Sequence, residues 1–261
     1  MRTRVLAAGV LGLVLTVVPV GTGGADEARQ CRALDHRAGA GPNDDNTIEG
    51  MTRDVARGGT WSELDAVAVV GGTMLFHERR WEQGTDGTGR VEDSTYAYAS
   101  TLRTSTYHQQ VPTLTEALNH LDASGGHALI ELHRWPTWTP AHLRALVQKI
   151  RSRGLQGRVF LTGTKGALGA LAELAPHLVA MYRPDRDEVF TRRRAHRLSV
   201  EGVQVGGGFT TAEVAAWRRA GFQVWGRQTG PDNFAARIEH NVVTVQSDHP
   251  GAWLAFCRSR S

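Results

Sequence analysis

Strand-like and helical segments alternate along this chain after an apolar N-terminal stretch, and that alternation limits the possible folds more than any other feature. The clearest helix is capped by Thr139, has Pro140 at its first position and stops at Gly154, with four apolar residues at helical spacing between them. Regular alternation of this kind favours a parallel α/β fold over a sandwich or a helical bundle.

Eight strand candidates can be counted if Gly71-Gly72 is taken as a break within one strand. They are Ala33–His36, Trp61–Val70 with Thr73–His77, Ala128–His133, Arg158–Thr162, Leu178–Tyr182, Gly202–Val205, Phe222–Trp225 and Val242–Gln246. Eight strands suit a closed (β/α)8 barrel, and 261 residues suit a single domain of that type. Residues 78–111 lack clear periodicity, so we expect a small excursion after the second strand.

The N-terminus has the layout of a secretory signal peptide. Arg2 and Arg4 precede an apolar run over 5–20, and small residues lead to Asp26. We expect a signal peptide over 1–25, a mature domain over 26–261, and secretion to the extracellular or a periplasm-like space. The formal net charge of +4 would fall to +2 on loss of the two arginines, which is too small to indicate nucleic-acid binding.

Export would allow the two cysteines to form a disulfide. Cys31 and Cys257 lie near opposite ends of the mature chain, and an oxidising compartment allows thiols to pair. In a closed barrel the first strand and the last helix are neighbours, so we predict a Cys31–Cys257 disulfide. Two unpaired buried thiols are the alternative.

Three carboxylates fall on barrel strands. Glu63 and Asp65 are two residues apart, so both side chains point to the same face of a strand while Leu64 points to the other. Glu131 can supply a third carboxylate from the following barrel strand. Carboxylate oxygens suit Mg²⁺ or Ca²⁺, whereas a zinc site would normally add His or Cys nearby. Pairing with arginine is the alternative role for each of these carboxylates.

Two histidines also follow strands, at the position from which barrel enzymes reach their substrate. Imidazole titrates near neutrality, so His36 and His77 could divide the work of a general acid and a general base. The chain has eleven histidines, and we assign no function to His108, His120, His142 or His240.

These motifs resemble those of the glycerophosphodiester phosphodiesterase family, whose members are TIM barrels. The segments that carry the resemblance are His36-Arg37-Ala38-Gly39, Asp45-Asn46-Thr47, Glu63-Leu64-Asp65, His77-Glu78, Glu131-Leu132, Trp225 and Ser247-Asp248-His249-Pro250. The resemblance runs from His36 to Pro250, which is nearly the whole mature chain.

The resemblance implies a divalent cation on Glu63, Asp65 and Glu131, with His36 and His77 as the catalytic pair. It further implies substrate binding by Arg37, through the phosphate, and by Trp225. The family often has Lys two residues after the third metal carboxylate, where this chain has His133. A phosphate contact by His133 would depend on pH or be lost. Asp45, Glu78 and Gln83-Gly84 also depart from the family pattern.

The leading interpretation is a secreted hydrolase that releases glycerol 3-phosphate and an alcohol from a small-molecule phosphodiester, and we expect a monomer. A second interpretation keeps the site but acts at a lipid surface on lysophospholipid, phosphatidylinositol or sphingomyelin. Its rim would consist of aromatic residues, namely Trp81, Tyr96, Tyr98, Trp135 and Trp138. A third is an inactive binding barrel. A glycoside hydrolase that uses Glu63 and Glu131 would leave both histidines without a role.

Overall fold

The protein is described here from a computed structural model. The structure describes residues 31–41, 44–135, 137–176, 178, 180–183, 201–206 and 208–260. The predicted signal peptide over 1–25 lies outside these residues. Among the described residues, no helix has both the length and the apolar character needed to cross a bilayer.

Eight parallel strands form a nearly closed barrel, as expected for a TIM barrel. The strands of the sheet are β1 (Arg32–Asp35), β2 (Thr60–Val69), β3 (Gly72–Leu75), β4 (Ala128–Leu132), β5 (Val159–Gly163), β6 (Met181–Tyr182), β7 (Gly202–Val205), β8 (Gln223–Gly226) and β9 (Thr244–Ser247). Apart from β3, their order is β5-β4-β2-β1-β9-β8-β7-β6. A parallel bridge between Leu161 and Ala180 links the two ends of that order. The predicted fold class is confirmed.

Helices follow most of the strands. They are α1 (Ile48–Arg57), α2 (Tyr96–Ala99), α3 (Leu114–Ser124), α4 (Pro140–Arg151), α5 (Lys165–Leu174), α6 (Thr211–Arg219), α7 (Phe234–Glu239) and α8 (Pro250–Arg258). The N-cap predicted at Thr139 is present, and Thr47 and Thr113 cap their helices in the same way. Each of the three side chains accepts a hydrogen bond from a first-turn backbone amide. These caps fix where each helix starts and therefore where each preceding loop ends.

The sequence suggested that Thr73–His77 continues the second strand, but it does not. The chain reverses at Gly71, whose φ of +87° favours glycine, and β3 pairs antiparallel with β2. The amide of Phe76 then donates to the carbonyl of Asp65 at 2.9 Å. This hairpin returns the chain to the barrel mouth and places His77 beside Asp65.

The excursion over 78–111 packs against the β2–β3 hairpin around a shared apolar cluster. Trp81 lies at the centre of that cluster with no exposed surface, and its indole N–H donates to Ser94 Oγ at 2.7 Å. The prediction that Trp81 belongs to an exposed aromatic rim is therefore wrong. The ring is buried because the excursion covers the apolar side chains of the hairpin.

A layer of large apolar side chains closes the barrel interior below its mouth. It is formed by Leu34, Trp61, Leu129, Phe160, Met181 and Trp225, one from each of six strands or strand ends. We call this layer the floor. Strand side chains alternate, so the residue two positions after each floor residue points into the barrel one layer higher.

The termini of the described barrel are joined covalently. Cys31 and Cys257 form a disulfide, with their Cα atoms 5.9 Å apart. The indole N–H of Trp253, on α8, donates to the carbonyl of Arg32 at 2.9 Å and holds the same two elements together. The disulfide prediction is confirmed, and α8 lies against β1 as a closed barrel requires.

Candidate active site

The layer above the floor is polar and lines a cavity of about 250 Å³ at the carboxyl ends of the strands. Its walls include His36, Arg37, Asp65, His77, Glu131, His133 and Arg183. The cavity wall therefore brings together the side chains that the sequence singled out for the site, apart from Glu63 and Trp225. The strands do this without help from long loops, except for His77, which the β2–β3 hairpin supplies.

The three predicted carboxylates lie together. Asp65 and Glu131 are direct register partners on β2 and β4, and each of Glu63, Asp65 and Glu131 offers an oxygen within 4.8 Å of the other two. Glu63 and Asp65 are almost completely buried. Burial and the neighbouring charges of Glu63 and Glu131 raise the pKa of Asp65 well above its usual value. Such a cluster is stable in its charged form only with cations beside it.

Asn46 holds Asp65 in place from both sides. Its amide nitrogen donates to Asp65 Oδ2 at 3.1 Å, and its carbonyl oxygen accepts from the Asp65 backbone amide at 2.7 Å. Asn46 adopts a left-handed φ of +59°, which asparagine tolerates better than most residues. The Asp45-Asn46-Thr47 motif thus combines a helix cap with a support for the carboxylate cluster.

Arg183 is a cation that lies against this cluster, and sequence reasoning missed it. Its guanidinium pairs with Glu131 Oε2 and lies 3.4 Å from Glu63 Oε1, while Nε donates to Gln204 Oε1 at 2.6 Å. Burial raises the pKa of Glu131, but the nearby Arg183 outweighs burial and the net pKa is lowered. Arg183 lies two residues after the floor residue Met181, which is the pattern that could have revealed it.

Arg37 lies between the histidines and the carboxylates. Its backbone amide donates to Glu63 Oε2 at 3.1 Å, and the backbone is left-handed, with φ of +57°. Its guanidinium donates to His77 Nε2 at 2.9 Å and lies 3.7 Å from Asp65 Oδ2. A non-glycine residue in this conformation is uncommon and is typical of functional sites. An anion that entered the cavity would meet this guanidinium.

Each predicted catalytic histidine is oriented by a carboxylate. His36 Nδ1 lies 2.7 Å from Asp248 Oδ1, and His77 Nδ1 lies 2.9 Å from Glu78 Oε1. Carboxylates only accept hydrogen bonds, so in the neutral imidazoles Nδ1 carries the proton and Nε2 keeps its lone pair. Glu78, a departure from the family pattern, still performs this orienting contact.

His133 is buried against the ring of His77, with the ring centroids 4.9 Å apart and nearly perpendicular. Burial lowers its pKa to about 4, and the nearby positive charges of Arg134 and Arg37 act in the same direction. The imidazole is therefore neutral near pH 7. A charged phosphate contact, which lysine would make at this position, is not available from His133 in this state.

Trp225 is not part of the cavity wall. It is a floor residue, 3% exposed, and its ring contacts Trp61 and Phe160 at centroid distances of 5.5 and 5.2 Å. The expectation that it binds substrate is therefore not supported by its position. Strand alternation places it one layer below Arg227, which does line the cavity.

The donor set suits a hard divalent cation. Three carboxylates converge, with oxygen atoms only, and oxygen-rich sites of this kind bind Mg²⁺ or Ca²⁺. Arg183 occupies two of the three carboxylates in this structure. A bound cation would have to share them with Arg183 or displace it.

Comparison with known proteins agrees with this geometry. No protein-family model matches the sequence. A stretch of 101 residues is 32% identical to human glycerophosphodiester phosphodiesterase 1 and 31% identical to the bovine protein of that name. The match covers 34% of this chain and 30% of either relative, so the chain spans less than a third of their length.

Solved structures extend the likeness to most of the chain. A phosphodiesterase from Oleispira antarctica, solved with the product sn-glycerol 3-phosphate, has a TM-score of 0.77 at 20% identity over 87% of this chain and 96% of its own. A glycerophosphodiester phosphodiesterase from Agrobacterium tumefaciens has a TM-score of 0.72 at 20% identity over 86% of this chain and 99% of its own. The chain thus has the TIM-barrel fold of these enzymes, and the resemblance to glycerophosphodiester phosphodiesterases is confirmed.

Proposed function

We propose that this protein is a secreted, divalent-metal-dependent phosphodiesterase that hydrolyses glycerophosphodiesters to glycerol 3-phosphate and an alcohol. The observation that carries the proposal is one cavity lined by two carboxylate-oriented histidines, Arg37 and two members of a buried three-carboxylate cluster. The named activity of the relatives, and the product bound in one of them, support the same substrate class.

In this scheme Glu63, Asp65 and Glu131 hold Mg²⁺ or Ca²⁺. The ion would neutralise phosphate charge and act as a Lewis acid. Arg37 adds positive charge at the same cavity and orients the phosphate. The floor below the cavity limits substrate entry to the barrel mouth.

The histidines divide the proton transfers. One Nε2 lone pair accepts the proton of the attacking water as its oxygen bonds to phosphorus. The other histidine, in its protonated form, donates a proton to the leaving alcohol oxygen as the phosphorus–oxygen bond breaks. The carboxylates Asp248 and Glu78 hold the two rings and stabilise the imidazolium form.

We also propose that residues 1–25 are a signal peptide and that 26–261 form one mature barrel domain. The Cys31–Cys257 disulfide supports export, because disulfides persist mainly in oxidising compartments.

The first prediction concerns the histidine pair. We expect the mature protein from Asp26 to release glycerol 3-phosphate from glycerophosphocholine with added Mg²⁺ or Ca²⁺ and to stop with a chelator. His36→Ala and His77→Ala should each lower kcat by at least about 100-fold, the lower range for general acid–base catalysis. His240→Ala is the control, because His240 follows α7 where β9 begins, at the other end of the barrel. Near-normal activity in either active-site variant would contradict the mechanism.

A further inference from the structure

A second group of metal-ligating side chains overlaps the carboxylate cluster. Asp65, His77 and His133 each offer one donor atom within 4.8 Å of the other two. Asp65 belongs to both groups, whereas the two imidazoles belong only to this one. The catalytic scheme above uses His77 as an acid or base and gives His133 no task.

His133 has a buried ring nitrogen of the kind that binds metal ions. Its side chain is 8% exposed, and its Nδ1 is buried without a hydrogen-bond partner among the described residues. Buried polar atoms are nearly always paired, because leaving one unpaired costs about 1–3 kcal/mol. A metal ion binds imidazole through the lone pair of a deprotonated ring nitrogen.

His77 is oriented as metal-binding histidines usually are. Its Nδ1 donates to Glu78 Oε1 at 2.9 Å, which leaves the lone pair on Nε2. A carboxylate on the far nitrogen fixes the ring and raises its basicity in most histidine–metal sites. That lone pair already faces a cation, because Arg37 Nη2 lies 2.9 Å away.

Two imidazoles and one carboxylate select a different metal from three carboxylates. Nitrogen donors favour Zn²⁺, Co²⁺ and Cu²⁺, whereas Mg²⁺ and Ca²⁺ prefer oxygen donors alone. Three protein ligands with an open fourth position are also a common zinc arrangement. We therefore expect the group with two imidazoles to bind a transition-metal ion and the group with three carboxylates to bind Mg²⁺ or Ca²⁺.

We propose that Asp65, His77 and His133 form a second cation site, specific for a transition-metal ion such as Zn²⁺, and that filling it inhibits the enzyme. A Zn²⁺ ion on His77 Nε2 takes the lone pair that the proton transfer needs and displaces the Arg37 nitrogen from it. It also draws on Asp65, which the Mg²⁺ or Ca²⁺ site shares. The inhibitory part rests on the proposed phosphodiesterase function, whereas the binding part does not.

The binding part is tested by Co²⁺ titration of the mature protein, with visible absorption as the readout and Zn²⁺ as competitor. Wild type should show a visible absorption band of Co²⁺ bound through nitrogen ligands, and added Zn²⁺ should abolish that band. His133→Gln and His77→Gln should each lose the band and weaken Zn²⁺ binding by at least about tenfold. Glu131→Gln is the matched control, since it removes a ligand of the oxygen site only and should keep the band. Circular dichroism shows whether each variant is folded. If one ligand variant does not fold, the other still tests the site.

Unchanged Zn²⁺ affinity in both folded ligand variants would overturn the proposed site. The inhibitory part is tested with saturating Mg²⁺ and increasing Zn²⁺: wild type should lose activity, and His133→Gln should resist Zn²⁺ by about tenfold or more. Zn²⁺ binding without loss of activity would overturn inhibition alone. A wild type that is inactive under all conditions would refute the proposed function, while the Co²⁺ spectrum would still test the site.

Discussion

Arg183 and the carboxylates show how single residues determine the charge state of the cavity. Glu63, Asp65 and Glu131 are buried close together, and Arg183, which directly follows β6, offsets part of their charge. Removing one partner of a buried ion pair leaves the other charge uncompensated, which costs about 3–5 kcal/mol. A divalent cation would relieve that cost.

The second prediction follows from this competition. Arg183→Gln should be less stable than wild type without metal, but should bind Ca²⁺ or Mg²⁺ about tenfold more tightly, or ~1.4 kcal/mol. The Tm should therefore rise further with added Ca²⁺ than it does for wild type. Arg134→Gln removes a positive charge from the same cavity wall and is the control. Equal Tm shifts in wild type and Arg183→Gln would show that Arg183 does not compete with metal.

Two buried acids, one of them the residue directly before His36, lie in contact with each other. Asp35 and Asp54 are both about 1% exposed and contact each other, while Arg57 lies 3.2 Å from Asp35 and 3.6 Å from Asp54. Burial and the charge of Asp35 raise the pKa of Asp54 to about 9. Asp35 accepts a hydrogen bond from the Ala40 amide, and burial raises the pKa of Asp35 as well.

The third prediction concerns pH. The folded pKa of Asp54 is above its unfolded value near 3.8, so its contribution to stability is complete below about pH 4 and is lost as pH rises towards 9. Asp54→Asn has no such proton to lose, and its amide can still donate to Asp35. The free energy of unfolding of wild type relative to this variant should fall by up to about 1.4 kcal/mol per pH unit across that window. Urea unfolding at pH 5, 7 and 9 would measure it, and parallel curves would contradict the assignment.

Among the elements, the β2–β3 hairpin determines where His77 lies. Its turn requires Gly71 at φ of +87°, and a Cβ on Gly72 would come within 2.1 Å of the Tyr96 ring. Tyr96 belongs to the short helix of the excursion, so the excursion packs directly on the hairpin. A shift at this contact would move β3 and the histidine at its end.

The fourth prediction tests that dependence. Gly72→Ala should lower the free energy of unfolding by about 1–3 kcal/mol, as other overpacked contacts do, and should lower kcat as well. Gly157→Ala is the control, because a Cβ there meets nothing within 4 Å. Urea unfolding and steady-state kinetics would measure both effects. Wild-type kcat in Gly72→Ala would show that the hairpin does not position His77 through this contact.

Much of this element arrangement could be predicted from sequence, for physical reasons that are local. Caps such as Thr139 are satisfied within one turn, and the spacing of Glu63 and Asp65 fixes a shared face on any strand. The reversal at Gly71, the pairing of Arg183 and the burial of Trp81 and Trp225 depend on partners distant in sequence. The alternation of side chains along a strand was informative even for Arg183, since each floor residue is followed two positions later by an inward-pointing residue.

At the scale of the whole molecule, the disulfide links the first strand to the last helix, 226 residues apart, at the end of the barrel opposite the cavity. A bridge over so long a loop restricts the unfolded chain strongly in the chain-entropy model.

The fifth prediction is that Cys31→Ser with Cys257→Ser lowers the free energy of unfolding by about 2–5 kcal/mol, the usual range for a native disulfide. Because the bridge is remote from the cavity, KM and kcat of the folded variant should match those of wild type. Urea unfolding, with wild type in reductant as the matched control, would measure the loss. A large change in kcat without a change in stability would show that the bridge acts on the site.

The same bridge makes residues 31–257 a covalent ring. A protease that cuts the ring once, for example in the excursion over the mouth, opens it but releases no fragment. The pieces stay tethered at the far end of the barrel, where β1, β9 and α8 meet. The protein therefore needs two cuts, or a cut and a reductant, before it loses any part of its barrel.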